Sequence, residues 1–208
     1  MKTEVRRPFE TTWEDWVLGG GAPASFADPS LPLEVEIGPG DDDFLILCAE
    51  RYPDRNWLGI EYSRKRVHRY ARRIQGRLGE VGNLRLIWRP AGDLVRPFLS
   101  PARVDTYHVY FPDPWPKKHH HRYRLLHAGF LADVAESLVP GGRFLLLTDH
   151  AEYAAEVVEE AGRVDGLVNA CPAPGYELVE AGDRRTPFEE RWRERGLAIH
   201  RIELNRPT

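Results

Sequence analysis

Beyond an opening rich in glycine and proline, short runs of consecutive apolar residues alternate with stretches whose apolar positions recur every three or four residues. The runs LEVEIG (from Leu33), NWLGIEYS, NLRLIW, VDTYHVYF and PGGRFLLLT read as strands, the first running into a glycine turn and the last preceded by one. Between them, FLILCAERYP reads as a short apolar helix ended by proline. Val67, Tyr70, Ala71, Ile74 and Leu78 define a second helix, with Ser63 as its N-cap and Gly79 as its stop. LLHAGFLADVAESL places Phe130, Leu131, Val134 and Leu138 on one side of a third helix, and EYAAEVVEEAG supplies a fourth. The strand candidate YELVE and the segments RWRERG and LAIHRIEL complete the chain. Strands that are nearly continuous apolar runs, alternating with helices, predict an α/β fold: an open, mostly parallel sheet with helices on both faces. Residues 1–32 read as an irregular arm and 33–208 as one domain.

Composition narrows the class. A chain of 208 residues, 42% hydrophobic, is long enough to bury a core and has the usual size of one domain. Cys48 and Cys171 are far apart and form no CxxC pattern, so neither a disulfide framework nor a structural zinc site is expected. The charged N-terminus leads into no apolar segment, and no window is long enough to cross a bilayer, so a cytoplasmic protein with no membrane partner is expected. A net charge of −3 gives no whole-molecule case for binding a polyanion. The charges are clustered, however. Arg64, Lys65, Arg66, Arg69, Arg72, Arg73 and Arg77 lie on the polar face of one predicted helix, and a second basic block runs from Lys117 to Arg124. A phosphate-bearing partner fits that distribution.

In open parallel sheets ligands bind beyond the carboxyl ends of the strands, which directs attention to the residues there. Gly38 and Gly40 allow a tight turn and close approach of a ligand to the backbone, although a plain strand-to-helix turn needs the same residues. Asp41, Asp42 and Asp43 also suit an acidic first helical turn. Glu61, at the end of the second strand, is placed to accept hydrogen bonds from a ribose, or is a solvated strand-end glutamate. Asp93, after the third strand, contacts the same ligand or shapes a turn. The fourth strand runs into FPDPWPKKHHHRYR, where Pro112, Pro114 and Pro116 stiffen the loop that carries Asp113. Lys117, Lys118, Arg122 and Arg124 are then expected to face whatever Asp113 contacts. A carboxylate among phosphate-seeking cations suits a substrate with hydrogen-bond donors among phosphates, such as guanine in RNA. His119 to His121 are consecutive and point in different directions, so no metal is expected. Asp149 has an alternative as the N-cap of a helix beginning near Glu152, and Thr186, Pro187 and Glu189 match a capping box.

Together, EIGPG, GIEYS, FPDPWPKKHHHRYR, TDH and TPFE, in this order from about Leu33 to Leu204, closely resemble bacterial tRNA guanine-N7 methyltransferases. FPDPWPKK is the most specific of these motifs. The resemblance implies a single Rossmann-like domain that uses S-adenosylmethionine (SAM) to methylate a variable-loop guanine of tRNA, as a monomer or homodimer. It further implies that Glu36, Glu61, Asp93 and Asp113 contact the cofactor beside Gly38 and Gly40, with Asp113 also catalytic. Lys117, Asp149 and the segment Thr186, Pro187, Phe188 and Glu189 take the tRNA-binding positions. Two departures stand out. Asp42 occupies the place of the family's usual third loop glycine, where a side chain could crowd the cofactor, and HHHRYR carries fewer arginines and lysines than is common, which makes part of the RNA contact pH-sensitive. Two rivals stay open on the residues alone. A nicotinamide-dependent oxidoreductase also uses a glycine turn followed by an acidic residue, and an RNA-binding module could have lost catalysis.

Overall fold

A computed structural model describes residues 26–79, 81–99, 101–178 and 198–208. In chain order these form β1 (Leu33–Ile37), α1 (Phe44–Arg51), β2 (Asn56–Glu61), α2 (Arg64–Leu78), β3 (Leu84–Trp88), α3 (Val95–Leu99), β4 (Val104–Tyr110), α4 (Ala128–Ser137), β5 (Leu138–Thr148), α5 (Ala151–Ala161), β6 (Val168–Asn169), β7 (Glu177–Leu178) and β8 (His200–Asn205). The strands make one sheet in the order β3-β2-β1-β4-β5-β8-β6, with β7 also paired to β8. Strands β1 to β5 run parallel, while β8 is antiparallel to β5, β6 and β7. The predicted mostly parallel sheet is thus present.

Alternation along the strands splits the core into two layers. Val35, Ile37, Leu58, Ile60, Tyr107, Val109, Phe144 and Leu146 pack with residues of α3, α4 and α5. On the other side, Trp57, Leu84 and Leu86 pack with Phe44, Leu45, Val67, Tyr70 and Ile74 of α1 and α2. Gly59 sets how closely α1 approaches the sheet, because a Cβ there would lie 2.6 Å from Leu45 Cδ1 and 2.8 Å from Leu86 Cδ1. This second layer is not wholly apolar. Glu34 and His108 are completely buried in it, their Oε2 and Nε2 atoms 2.6 Å apart. Arg55 donates to Glu34 Oε1 at 2.7 Å, and His108 Nδ1 meets the Tyr110 hydroxyl at 2.8 Å.

The helix limits follow local chemistry. The Ser63 hydroxyl accepts from Arg66 N–H, and Gly79 ends α2 at φ +64°. Helix α4 begins at Ala128, capped by the His127 ring. Pro140 and two glycines fall inside β5 rather than before it, accommodated by a register shift between Val104 and Thr106 of β4. Of YELVE, Glu177–Leu178 form β7 while Val179 and Glu180 lie outside the described residues, and β6 was not foreseen. RWRERG and Thr186 to Glu189 lie outside the described residues.

Candidate active site

Strand β1 lies between β2 and β4, and the chain leaves it toward β2 before returning to β4 on the other side, which opens a crevice at the carboxyl ends of β1 and β4. The turn after β1 has Gly38 at φ +74° and Gly40 at φ +60°, a left-handed backbone that favours glycine. Gly38 N–H donates to Ile60 O at 2.8 Å. Gly40 N–H donates to Glu61 Oε2 at 3.2 Å, and Ser63 N–H donates to Glu61 Oε1 at 2.7 Å. Glu61 is buried, so it is a brace that ties the glycine turn to the start of α2 rather than a solvated strand end.

Glu36 lies one pleat from this brace. Its side chain is buried, and Oε2 has no hydrogen-bond partner among the described residues. Burial pushes its carboxyl well above the ordinary carboxylate range, and the charges of Asp42 and Glu61 add to the rise. A buried carboxyl left unsatisfied is costly, and in a crevice it marks a place where a ligand donor fits. The aspartate run is explained locally. Asp42 Oδ1 accepts from Phe44 N–H at 2.9 Å at the start of α1, and its φ lies outside the left-handed region, so a glycine is not required there. Asp41 pairs with Arg69 at 2.5 Å, Asp43 pairs with Arg73, and Arg77 pairs with Glu50 at 2.8 Å. Three of the seven cations expected to present an open basic face are therefore engaged by acidic neighbours. Arg64 lies over the Trp88 ring at 5.3 Å, while Lys65, Arg66 and Arg72 are exposed.

The remaining carboxylates sit on the rim. Asp93 is exposed in a 3-10 turn, Ala91–Asp93, after β3. Asp113 is exposed immediately beyond β4, between half-buried Pro112 and Pro114. Stiffening comes from more than proline. Phe111 and Trp115 adopt φ of +50° and +44°, which is strained for bulky L residues and so must be held by its surroundings. Phe111 N–H donates to Leu147 O at 2.8 Å on β5. Arg124 does not face outward as expected: it is 4% exposed, and its Nε donates to Pro114 O at 2.7 Å. Lys117, Lys118 and Arg122 are exposed, the latter two in a 3-10 helix, Lys118–Tyr123. The rings of Trp115, His120 and Tyr123 cluster there, each pair of centroids within 6 Å. Among the described residues no group of three or more His, Cys, Asp or Glu could hold a metal. Nor is any described helix long and apolar enough to cross a membrane.

Asp149 is exposed after β5, but the cap of the following helix is His150, whose Nδ1 accepts from Tyr153 N–H at 3.2 Å. Glu36, Gly38, Gly40 and Glu61 are thus gathered at the ends of β1 and β2. Asp113, Lys117 and Asp149 follow the neighbouring β4 and β5. The inward turn of Arg124 toward Pro114 O was not recognised in the sequence, where an arginine in a basic block looks like its neighbours.

A family model described as "Putative methyltransferase" matches residues 30–202. A "tRNA (guanine-N(7)-)-methyltransferase" of Treponema pallidum is 37% identical over 171 residues, covering 82% of this chain and 66% of its own length. One of the same name from Syntrophotalea carbinolica is 31% identical over 203 residues, covering 98% of this chain and 86% of its own. The chain belongs to this methyltransferase family. It spans slightly less than two thirds of the Treponema relative's length. Among solved structures, the 16S rRNA methyltransferase KamB has the same fold, with a TM-score of 0.65 at 18% identity over 93% of this chain and 99% of that one. Family membership argues against the oxidoreductase reading, for which the glycine turn and Glu61 were the grounds.

Proposed function

We propose that this chain transfers a methyl group from SAM to N7 of guanine in tRNA. The observation that carries this reading is the pairing of two features at adjacent strand ends. Glu36 is a buried carboxyl with an unsatisfied oxygen at β1, and Asp113 is an exposed carboxylate on a rigidly held loop at β4. The family's relatives are named for this activity.

SAM, when bound, supplies a methyl carbon made electrophilic by its sulfonium. Glu36 and Glu61 are suited to accept from its amino and hydroxyl groups, with Gly38 and Gly40 letting the backbone come close and Asp93 and Asp113 closing the rim. Glu61 already accepts one backbone N–H on each oxygen, and a carboxylate has acceptor capacity left. The unsatisfied oxygen of Glu36 fits a donor-rich ligand, and Asp42 leaves the turn unstrained, so the residues present fit this cofactor.

Guanine N7 carries an in-plane lone pair, so no residue has to remove a proton from the nucleophile. Asp113 therefore acts by aim and charge. Its carboxylate accepts from N1–H and the amino group of guanine, and it opposes the positive charge that the methylated ring acquires, a preference that grows toward the transition state. Lys117, Asp149 and Thr186 to Glu189 hold the tRNA around that base, and Lys118 and Arg122 add cations for its phosphates. The deciding experiment incubates the protein with isotopically labelled SAM and unmodified tRNA, then maps the product by chemical cleavage at 7-methylguanosine. Label in tRNA with cleavage at one variable-loop guanine is expected. SAM bound without transfer would leave the RNA-binding alternative, and label on another atom would overturn the assignment.

A further inference from the structure

Arg124 is spaced like a member of the basic RNA-facing block, yet its side chain is only 2% exposed. Its guanidinium joins two elements, the Asp113 loop and α5. Nε donates to Pro114 O at 2.7 Å and one terminal nitrogen lies 3.5 Å from Trp115 O, so it holds the two carbonyls that directly follow Asp113. The other terminal nitrogen pairs with Glu156 on α5, and the whole group lies over the Tyr153 ring at 4.9 Å. His121 Nδ1 is 3.8 Å from the same Glu156 carboxylate. Trp115, one of the two residues gripped, has the left-handed φ of +44°, a conformation that an aromatic residue does not keep unless its neighbours fix it.

We infer that Arg124 and Glu156 are positioning residues that clamp the Asp113 loop to α5 and so fix the aim of the Asp113 carboxylate. A planar guanidinium suits this because its donors form a rigid fork, able to meet a carboxylate on one side and two peptide carbonyls on the other. An ammonium cannot span all three partners. Since α5 begins just after Asp149, the clamp also keeps the Asp113 loop in register with the residues after β5. Alignment of reacting groups is sensitive, and a displacement of about 1 Å can cost about a hundredfold in rate.

The inference rests on the proposed activity, so the test has two arms. The full-length wild type, Arg124→Lys, Glu156→Ala and Glu156→Gln are compared for tRNA methylation at saturating SAM, with SAM affinity measured separately, and for hydrogen–deuterium exchange in peptides covering residues 111–123. Arg124→Lys and Glu156→Ala are expected to lose about tenfold to a hundredfold in kcat. They should keep SAM affinity within about twofold and exchange faster in that loop while the sheet stays protected. Glu156→Gln keeps an acceptor for the guanidinium and is expected to stay near wild type in both arms. Loss of kcat without faster loop exchange, faster exchange without loss of kcat, or no change in either overturns the inference. If Arg124→Lys no longer binds SAM, the two Glu156 variants decide. Should the wild type bind SAM and transfer nothing to tRNA, the proposed function fails while the exchange arm still judges the clamp.

Discussion

Replacing Asp113 by asparagine isolates its charge. The side chain is exposed, so the change creates no cavity and should alter folding stability by no more than about 0.5 kcal/mol. The loop cannot relax to compensate, because Pro112 and Pro114 flank the residue and Arg124 holds the next two carbonyls. Asparagine keeps one acceptor for the guanine edge but turns the other oxygen into an NH2, which meets a guanine donor with a donor. One hydrogen bond to a charged group, worth about 1.5–3 kcal/mol, is lost, along with the charge that opposes the cationic product ring. A combined cost of about 3–4 kcal/mol corresponds to a fall of about 100- to 1000-fold in methyl transfer. The assay is the initial rate of label transfer to unmodified tRNA at saturating SAM, with calorimetric SAM binding and thermal unfolding as controls. Transfer should collapse while both controls hold. Unchanged turnover would refute the role of Asp113, and a loss that merely follows weakened SAM binding would reassign it to the cofactor alone.

Glu36→Gln should raise the thermal stability of the ligand-free protein at neutral pH. The folded-state pKa of Glu36 is raised by burial, so its stabilising contribution is complete below the ordinary value of 4.5 and is lost as pH rises through the folded pKa. The gap between variant and wild type should therefore shrink toward acid pH, and a gap independent of pH would contradict the burial argument. On α2, the triple change of Lys65, Arg66 and Arg72 to alanine should weaken tRNA binding and flatten its logarithmic salt dependence by about 0.9 for each phosphate no longer neutralised. Arg77→Ala, whose partner is Glu50, should leave the slope unchanged, and equal slopes in both variants would remove α2 from the RNA interface. His108→Leu removes the partner of the buried Glu34 Oε2, leaving Arg55 on Oε1, and should cost about 1–3 kcal/mol in urea unfolding, with less than additive loss when Glu34→Leu is combined with it. Additive losses would show that the pair is not coupled.

Periodicity carried most of the fold. The apolar runs became β1 to β5, and Ser63 and Gly79 bounded α2 as capping chemistry requires. What stayed hidden depended on contacts distant in sequence. Nothing in EIGPGDDD reveals that Asp41 and Asp43 would be drawn to Arg69 and Arg73, yet that pairing decides how much of the basic helix faces outward. Glu61 was placed correctly at a strand end, but its work as a brace needs the backbone N–H groups of Gly40 and Ser63 to converge on it. Arg124 was misread for a related reason. In sequence it is one cation among several, and only α5, arriving 32 residues later with Glu156, turns it inward.

The site's electrostatics follow from this division of labour. In the proposed function a cofactor with a sulfonium centre is favoured by carboxylates and tRNA by cations, so the two ligands ask for opposite fields within one crevice. The fold separates them by strand. Glu36, Glu61 and Asp93 follow or end β1, β2 and β3, whereas Lys117, Lys118 and Arg122 come after β4. Asp113 is a carboxylate on the cationic side. An acidic group there repels phosphates and attracts base edges that carry N–H donors, so in the proposed function it selects guanine only if it does not swing toward the cations beside it. Two prolines flank it and Arg124 hydrogen-bonds the carbonyls that follow; in the clamp inferred above these oppose that motion, which makes the stiffness of the loop and the chemistry of its aspartate one property.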